Sequence, residues 1–220
     1  MKNNILIAPS ILSADFANLA NEIEAITKAG ADIIHIDVMD GHFVENLTIG
    51  PTVIKSIRPH SKLPFDVHLM IDNSIKYIPS FVDSGADIIS IHPESKVNIK
   101  DCINLIHSHN KKAGLAINPE TSPEILKEYL PFIDLILLMT VNPGFGGQKF
   151  INNQLDKISY VKELIHSSNR KIDLEVDGGI NKSNADKVIK AGANILVAGS
   201  AVFSNDKLYK KNIKDLRCID

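Results

Sequence analysis

The sequence contains no tryptophan and only two cysteines, and none of its apolar runs approaches the length of a membrane span. Cys102 and Cys218 lie far apart and form neither a metal-binding nor a redox motif. The few polar residues before the first apolar run have the form of neither a signal peptide nor a transit peptide. We therefore expect a cytoplasmic protein with reduced thiols and no membrane partner.

An excess of charge of either sign is also missing. The formal net charge is −2 and no basic cluster occurs, which argues against nucleic acid and acidic membrane surfaces as partners. With 44% apolar and 23% charged residues among 220 positions, the composition is that of a soluble protein with a substantial core. Because no linker-like or low-complexity stretch divides the chain, a single domain over residues 1–220 is predicted.

An internal repeat indicates the architecture. Residues 29–34, 84–89 and 191–196 share the pattern Ala/Ser-Gly-Ala-Asp/Asn-Ile-Ile/Leu, each time after a helix-like stretch and at the start of a β-branched run. Its glycine is typical of a helix C-cap. The three glycines are 55 and 107 residues apart, close to two and four times the 27.5 residues available to each of eight units in 220 positions. Eight strand–helix units predict a (β/α)8 TIM barrel.

The hydrophobic periodicity supplies eight strands and eight helices in alternation. Strands are predicted at residues 5–8, 33–38, 65–70, 88–92, 113–117, 135–140, 172–176 and 195–198. Helices are predicted at residues 18–29, 52–57, 74–84, 98–109, 123–129, 152–168, 183–191 and 206–216. This alternation favours parallel strands with right-handed crossovers. An open, doubly wound sheet is the alternative fold, which the eight units and the repeated glycines disfavour.

Three predicted strands carry polar side chains on one face. In strand two, His35, Asp37 and Met39 alternate with isoleucine and valine, as expected for a period of two residues. The corresponding faces of strands three and seven carry Asp66, His68, Met70, Asp173, Glu175 and Asp177. In a barrel, one strand face packs against the helices and the other points into the barrel. The polar groups are therefore expected to meet near the carboxyl ends of the strands, where barrel active sites lie.

Four of these residues are candidate metal ligands: His35, Asp37, His68 and Asp177. This set of nitrogen and oxygen donors suits one divalent ion of Zn, Fe, Mn or Co, and the absence of thiolates argues against a soft metal. The alternative is a buried network of salt bridges and hydrogen bonds. The remaining histidines, His42, His60, His107, His109 and His166, are expected to be solvated. His92 is a further candidate for the pocket lining that no motif supports.

The two aspartates in this set indicate acid–base chemistry. If they approach a substrate from different strands, one can remove a proton and the other can return one from the opposite side. Proton removal beside a carbonyl creates an enediolate, which a cation stabilises. Inversion at a carbon next to a ketone uses both carboxylates. Metal-assisted hydrolysis is the competing reaction, and it would leave one of them without a role.

Methionines and glycines mark the same strand ends. Met39, Met70 and Met139 are candidates for a pocket lining, with core packing as the alternative. Glycine-rich segments at residues 142–148, 177–179 and 199–201 follow strands six, seven and eight. Backbone N–H groups in such loops can converge on an anion, and barrels commonly bind phosphate after strands seven and eight. These loops predict a phosphate site held mostly by backbone, with Lys149 as the only cation nearby.

The motifs at residues 8–13, 35–44, 66–70, 137–148, 174–179 and 197–203 resemble those of the ribulose-phosphate 3-epimerase family, and the resemblance covers essentially the whole chain. It implies a barrel enzyme that interconverts D-ribulose 5-phosphate and D-xylulose 5-phosphate in the pentose phosphate pathway. Two departures are Glu45, where Pro is expected, and Val97-Asn98, where many members carry His.

The resemblance also implies roles for individual residues. One divalent metal would be bound by His35, Asp37, His68 and Asp177, with Asp37 as proton acceptor and Asp177 as donor. Ser10 and His68 would contact the sugar, and a homo-oligomer would be expected. The residues around the phosphate end would be Gly144, Phe145, Gly146, Gly147, Gly178, Gly179, Gly199 and Ser200.

Two alternatives stay open at this point. A related hexulose phosphate such as allulose 6-phosphate would use the same residues in a pocket of different length. A catalytically silent barrel that senses a phosphorylated metabolite would not need two acid–base groups.

Overall fold

The computed structural model describes residues 5–204 and 207–218, and it consists of eight parallel strands that alternate with eight helices. The strands are β1 (Leu6–Pro9), β2 (Ile34–Met39), β3 (Phe65–Met70), β4 (Ile88–Ile91), β5 (Lys112–Ile117), β6 (Leu135–Met139), β7 (Asp173–Asp177) and β8 (Ile195–Ala198). The helices are α1 (Leu19–Ala29), α2 (Pro51–Ile57), α3 (Ser74–Asp83), α4 (Ile99–Ser108), α5 (Leu126–Tyr129), α6 (Gln154–Ser167), α7 (Ala185–Ala191) and α8 (Tyr209–Leu216).

The strands pair in the order of a barrel. Their sequence around the sheet is β1-β8-β7-β6-β5-β4-β3-β2, and all the pairs are parallel. The two ends of this row meet at an isolated parallel bridge between Ser10 and His35. The predicted (β/α)8 barrel is therefore confirmed, and the open doubly wound sheet is wrong.

The element bounds differ from the predicted ones at the ends. β1, β2 and β7 each begin and end one residue later than predicted. The predicted helix at 123–129 is a 3-10 turn, Pro123–Ile125, followed by the short α5. The hydroxyl of Ser122 caps the start of the turn by accepting from the N–H of Glu124. The last helix begins at Tyr209, and the predicted start at Asp206 lies outside the described residues.

Apolar side chains form two separate layers. The outward faces of the strands, with Ile36, Val67 and Leu174 as examples, pack against the helices in one large buried cluster. A smaller cluster that includes Leu137 and Val197 fills the inside of the barrel. Each fully buried side chain of this size contributes roughly 1.5–3 kcal/mol relative to an exposed one. The alternation predicted for β2, β3 and β7 is therefore the observed one, with the polar face turned inward.

The repeated motif closes the amino-terminal end of the barrel. Gly30 takes a positive φ of 97° after α1, as a C-cap glycine does. The acidic or amide residue two positions later accepts a hydrogen bond from the N–H group of a neighbouring strand. Asp32 accepts from Ile7 at 2.8 Å, and Asp87 and Asn194 accept in the same way from Phe65 at 2.9 Å and from Leu174 at 2.6 Å. The repeat is therefore structural, and it leaves the opposite end of the barrel for the site.

None of the helices in the described part of the chain has the length and apolar character needed to span a membrane.

Candidate active site

Four polar side chains meet at the carboxyl ends of β2, β3 and β7. His35, Asp37, His68 and Asp177 each place one potential ligand atom within 4.8 Å of those of the other three. His35 and His68 are fully buried, and Asp37 is 6% exposed. The register brings them together, because Asp37 pairs with His68 across β2 and β3. All four sequence-predicted ligands are therefore in one cluster.

Asp37 is the centre of this cluster. Its Oδ2 accepts a 2.6 Å hydrogen bond from the hydroxyl of Ser10, which follows β1. Its Oδ1 lies 3.1 Å from Nδ1 of His68 and 3.3 Å from Nε2 of His35. Ser10 therefore orients the carboxylate of Asp37 from the neighbouring strand, in addition to lining the pocket.

His35 presents one ring nitrogen to the cluster. Its Nδ1 lies 2.6 Å from Oδ2 of the buried Asp66, so this nitrogen carries a hydrogen. Its Nε2 is buried and has no hydrogen-bond partner among the residues that the structure describes. A carboxylate on the far nitrogen is the usual support of a metal-binding histidine. An unpartnered buried nitrogen is therefore available on the side that faces Asp37.

The donor set fits a divalent metal. Atoms that share an ion at about 2.0–2.1 Å lie roughly 3 Å from one another, which matches the two distances from Asp37 Oδ1 to the histidine nitrogens. Burial alone would lower the pKa of His35, but the charges of Asp37 and Asp66 raise it well above its usual value. Metal binding at this ring would therefore release a proton.

The pKa values of the two aspartates are shifted in opposite directions. Burial would raise the pKa of Asp37, but the charge of the neighbouring His35 holds it well below its usual range. Burial, and after it the charge of Asp37, raises the pKa of Asp177 to about 7. Near neutral pH, Asp37 is thus a carboxylate and Asp177 retains a proton for much of the time. Such a divergence separates a base from an acid.

Two buried acids below the cluster were not among the predicted site residues. Asp66 holds His35, and Oε1 of Glu175 lies 3.6 Å from the same imidazole nitrogen. Burial, and after it the charge of Asp66, raises the pKa of Glu175 to about 8. Their alternation with apolar residues places both on the inward face. The sequence pattern does not show how deep in the barrel each side chain lies, so it did not identify them as neighbours of the cluster.

A pocket opens above the cluster. Its lining includes Ser10, Asp37 and Asp177 together with all three internal methionines. It also includes every residue predicted for the phosphate end, namely Gly144, Phe145, Gly146, Gly147, Gly178, Gly179, Gly199 and Ser200. His35 and His68 lie beneath the cavity and do not line it.

Gly179 shows why the loop after β7 requires glycine. Its φ is +68°, and an added Cβ would lie 2.4 Å from the backbone nitrogen of Phe150. This close approach packs the loop after β7 against the loop after β6. The N–H groups of Gly147, Gly179 and Ser200 donate to no protein acceptor within the described residues. They are therefore free to receive an anion.

His92 differs from the other unassigned histidines. His42, His107, His109 and His166 are exposed and His60 is half-buried, close to the prediction. His92 is fully buried behind His68, with their Nε2 atoms 2.7 Å apart, and its Nδ1 lies 3.1 Å from Glu94. It lies just beyond β4, where the alternation that identified the other residues has ended.

The two departures from the family pattern lie in loops outside the cluster. Glu45 is exposed in the loop after β2. Asn98 caps α4, because its side chain accepts from the N–H groups of Lys100 and Asp101.

A parallel eight-stranded barrel with a polar pocket at the carboxyl ends of its strands is the architecture of a (β/α)8-barrel enzyme. Among solved structures, a variant tryptophan synthase α-subunit from Pyrococcus furiosus matches with a TM-score of 0.73 over 99% of both chains. At 18% identity, this match shows the fold alone.

Sequence comparison gives the family. The Ribulose-phosphate 3 epimerase family profile matches residues 6–203. The ribulose-phosphate 3-epimerase of Bacillus subtilis is 53% identical over 97% of this chain and 98% of its own length. The enzyme of the same name from Synechocystis sp. is 50% identical over 99% and 95%, respectively. The chain belongs to the ribulose-phosphate 3-epimerase family, and it is an epimerase, an enzyme of the isomerase class. The resemblance noted from the motifs is confirmed.

Proposed function

We propose that this enzyme interconverts D-ribulose 5-phosphate and D-xylulose 5-phosphate, as a step of the pentose phosphate pathway in the cytoplasm, by moving a proton at C3. Support comes from the family and from the names of its relatives. The observation that carries the mechanism is the pair Asp37 and Asp177, which lie in one cluster with opposite proton affinities.

Asp37 is the proposed base for D-ribulose 5-phosphate. The hydroxyl of Ser10 and two imidazoles fix its carboxylate, so that its orientation is set before the substrate arrives. Removal of the C3 proton leaves a planar enediolate. Asp177, on a different strand, returns a proton to the opposite face of that carbon, and the configuration at C3 is inverted. In the reverse reaction the two aspartates exchange roles.

His35, Asp37, His68 and Asp177 are the residues that would hold one divalent metal ion, of Zn, Fe, Mn or Co. When bound, such an ion supplies positive charge that stabilises the enediolate by several kcal/mol. The supporting observation is the unpartnered Nε2 of the buried His35.

The rest of the pocket orients the substrate. Met39, Met70 and Met139 present polarisable side chains beside the reacting carbon and exclude water from it. The glycine loops receive the phosphate through free backbone N–H groups, among them those of Gly147, Gly179 and Ser200. A homo-oligomer stays a prediction.

The test follows the proton directly. Purified protein is analysed for bound metal and then incubated with D-ribulose 5-phosphate in deuterium oxide. We expect deuterium at C3 together with formation of D-xylulose 5-phosphate, and loss of both after chelation. Binding without exchange by the metal-loaded protein would indicate a sensor and contradict the proposal. A higher kcat/KM for allulose 6-phosphate would reassign the substrate but not the chemistry.

A further inference from the structure

Four side chains form a continuous chain of hydrogen-bonding contacts from the cluster to the rim of the barrel. Oδ1 of Asp37 lies 3.1 Å from Nδ1 of His68, and Nε2 of His68 lies 2.7 Å from Nε2 of His92. Nδ1 of His92 lies 3.1 Å from Oε2 of Glu94. Both imidazoles are completely buried, so water does not substitute for any of these contacts.

The number of hydrogens in this chain is limited. Two neutral imidazoles carry two N–H hydrogens between them, whereas the chain has three gaps to fill. The gap between the two rings must contain one, because two unprotonated nitrogens at 2.7 Å would repel each other. The other hydrogen lies either against Asp37 or against Glu94.

Only one of these arrangements leaves His68 able to bind a metal through Nδ1, the nitrogen that faces Asp37. In it, Nε2 of His68 donates to His92, and Nδ1 of His92 donates to Glu94. A carboxylate at position 94 favours this arrangement because it can only accept.

The carboxylate of Glu94 is fixed by groups in the loop after β5. Its Oε1 accepts from the backbone N–H of Asn118 at 2.9 Å and from the hydroxyl of Thr121. These two donors fix the carboxylate so that Oε2 faces His92. The ring of Phe43 also packs against His92, with 4.9 Å between the two ring centroids.

We propose that Glu94 is a positioning residue, which acts through His92 to select the tautomer of His68 whose Nδ1 is free for a metal ion. This inference rests on the proposed metal site. It assigns a role in metal binding to two residues outside the ligand set.

Glu94→Gln provides a sharp test because the amide has a forced orientation. Its oxygen must stay on the two donors, Asn118 and Thr121, so its NH2 group faces His92 and donates to Nδ1. The hydrogens then shift along the chain, and Nδ1 of His68 becomes protonated. In Glu94→Ala, water can occupy the position and accept from His92. Glu94→Gln, which keeps the contacts to Asn118 and Thr121, is therefore expected to bind metal more weakly than Glu94→Ala, which removes them.

The primary measurement is the Zn²⁺ dissociation constant of each purified variant, determined by competition with a chelator. We expect Glu94→Gln to weaken binding by about 10–100-fold and Glu94→Ala by less. Asp72→Asn is the matched control, because Asp72 is a carboxylate in the same outer groove with no contact to His92. It should bind Zn²⁺ as the wild type does. A purely structural role of Glu94 predicts the reverse order, with Glu94→Ala the weaker binder.

A spectroscopic signature completes the test. In ¹⁵N spectra of the metal-free protein, the His68 hydrogen should lie on Nδ1 in Glu94→Gln and be shifted towards Nε2 in the wild type. Identical His68 signals and equal Zn²⁺ affinity in the two proteins would overturn the inference while leaving the metal site standing. A wild-type protein that binds no Zn²⁺ at the cluster would overturn both.

Discussion

At the scale of single residues, two chemically identical carboxylates behave differently because of their neighbours. Asp37 receives a hydroxyl and faces two imidazoles, whereas Asp177 is close to the negative charge of Asp37. The carbonyl of Asp177 is held by the N–H and hydroxyl of Thr140 at 2.7 and 2.9 Å, which fixes the end of β7. The difference between their pKa values therefore depends on position in the barrel.

Substitution of either aspartate should remove proton transfer but preserve the fold. For Asp37→Asn and Asp177→Asn we expect kcat to fall by about 10²–10⁴-fold or more, since an amide neither accepts nor supplies the proton. The assay is epimerisation with circular dichroism on the same samples. Asp173→Asn is the control, because it makes the same change at the other end of β7. Near-normal kcat in either test variant would contradict the two-carboxylate mechanism.

Glu175 makes a prediction about stability. Its pKa of about 8 in the folded protein exceeds its ordinary value of 4.5, so the folded state binds the additional proton between these pH values. The contribution of this proton to the free energy of unfolding is therefore fully present below about pH 4.5, and it is lost as the pH rises to about 8. We expect the unfolding free energy of the chelated protein to decline across this window, by at most about 1.4 kcal/mol per pH unit from this group.

Urea unfolding at a series of pH values measures this decline. In Glu175→Gln it should be shallower, because the variant has no proton to lose at this position. Parallel curves for the variant and the wild type would show that Glu175 does not titrate in this range.

At the scale of elements, the repeated motif links each helix end to a strand. Asp87 accepts from the N–H of Phe65, and Arg58 and Lys111 contact the same carboxylate at 3.1 and 3.2 Å. Asn194 occupies the equivalent position with an amide oxygen. Accepting the strand N–H is thus the shared role, and charge is not required for it.

The pair Asp87→Ala and Asp87→Asn separates these two contributions. Alanine leaves the N–H of Phe65 without an acceptor, and we expect it to destabilise the protein by about 1–3 kcal/mol. Asparagine keeps an acceptor and should cost clearly less. Chemical denaturation of both variants measures the difference, and equal losses would assign the effect to the ion pairs.

The packing of the loops after β6 and β7 can be tested at Gly179. A Cβ at this position meets backbone 2.4 Å away, whereas Gly147 has a similar positive φ of +75° with nothing within 4 Å. Gly179→Ala should therefore lower the melting temperature more than Gly147→Ala, which carries the backbone strain without the clash. Equal shifts would mean that the loops separate freely.

At the scale of the whole molecule, local patterns predicted most of the fold. The repeated glycines gave the number of units, and the alternation in β2, β3 and β7 gave the inward faces. The clustering of all four candidate ligands and the lining of the pocket followed from these two patterns and the family motifs.

The remainder depends on distances between strands, which a period of two residues does not contain. Asp66 and Glu175 were placed on the correct face, but their position below the candidate ligands depends on how neighbouring strands are staggered. His92 and Glu94 lie beyond the end of β4, where no periodicity applies. Their contacts form only when the ends of β3, β4 and β5 are brought together.

The join between β1 and β2 has a consequence for how the barrel opens. In the described part of the chain, these strands share one isolated bridge at Ser10 and His35, whereas the other neighbours pair over three to six residues. We therefore expect local opening of the barrel to require the least free energy at the join between β1 and β2. Ser10 also orients the carboxylate of Asp37 across it, so transient opening of this join would also disturb that orientation. A ligand in contact with both strands would hold Ser10 and Asp37 together. It would therefore stiffen the barrel at the same place where it orients the carboxylate.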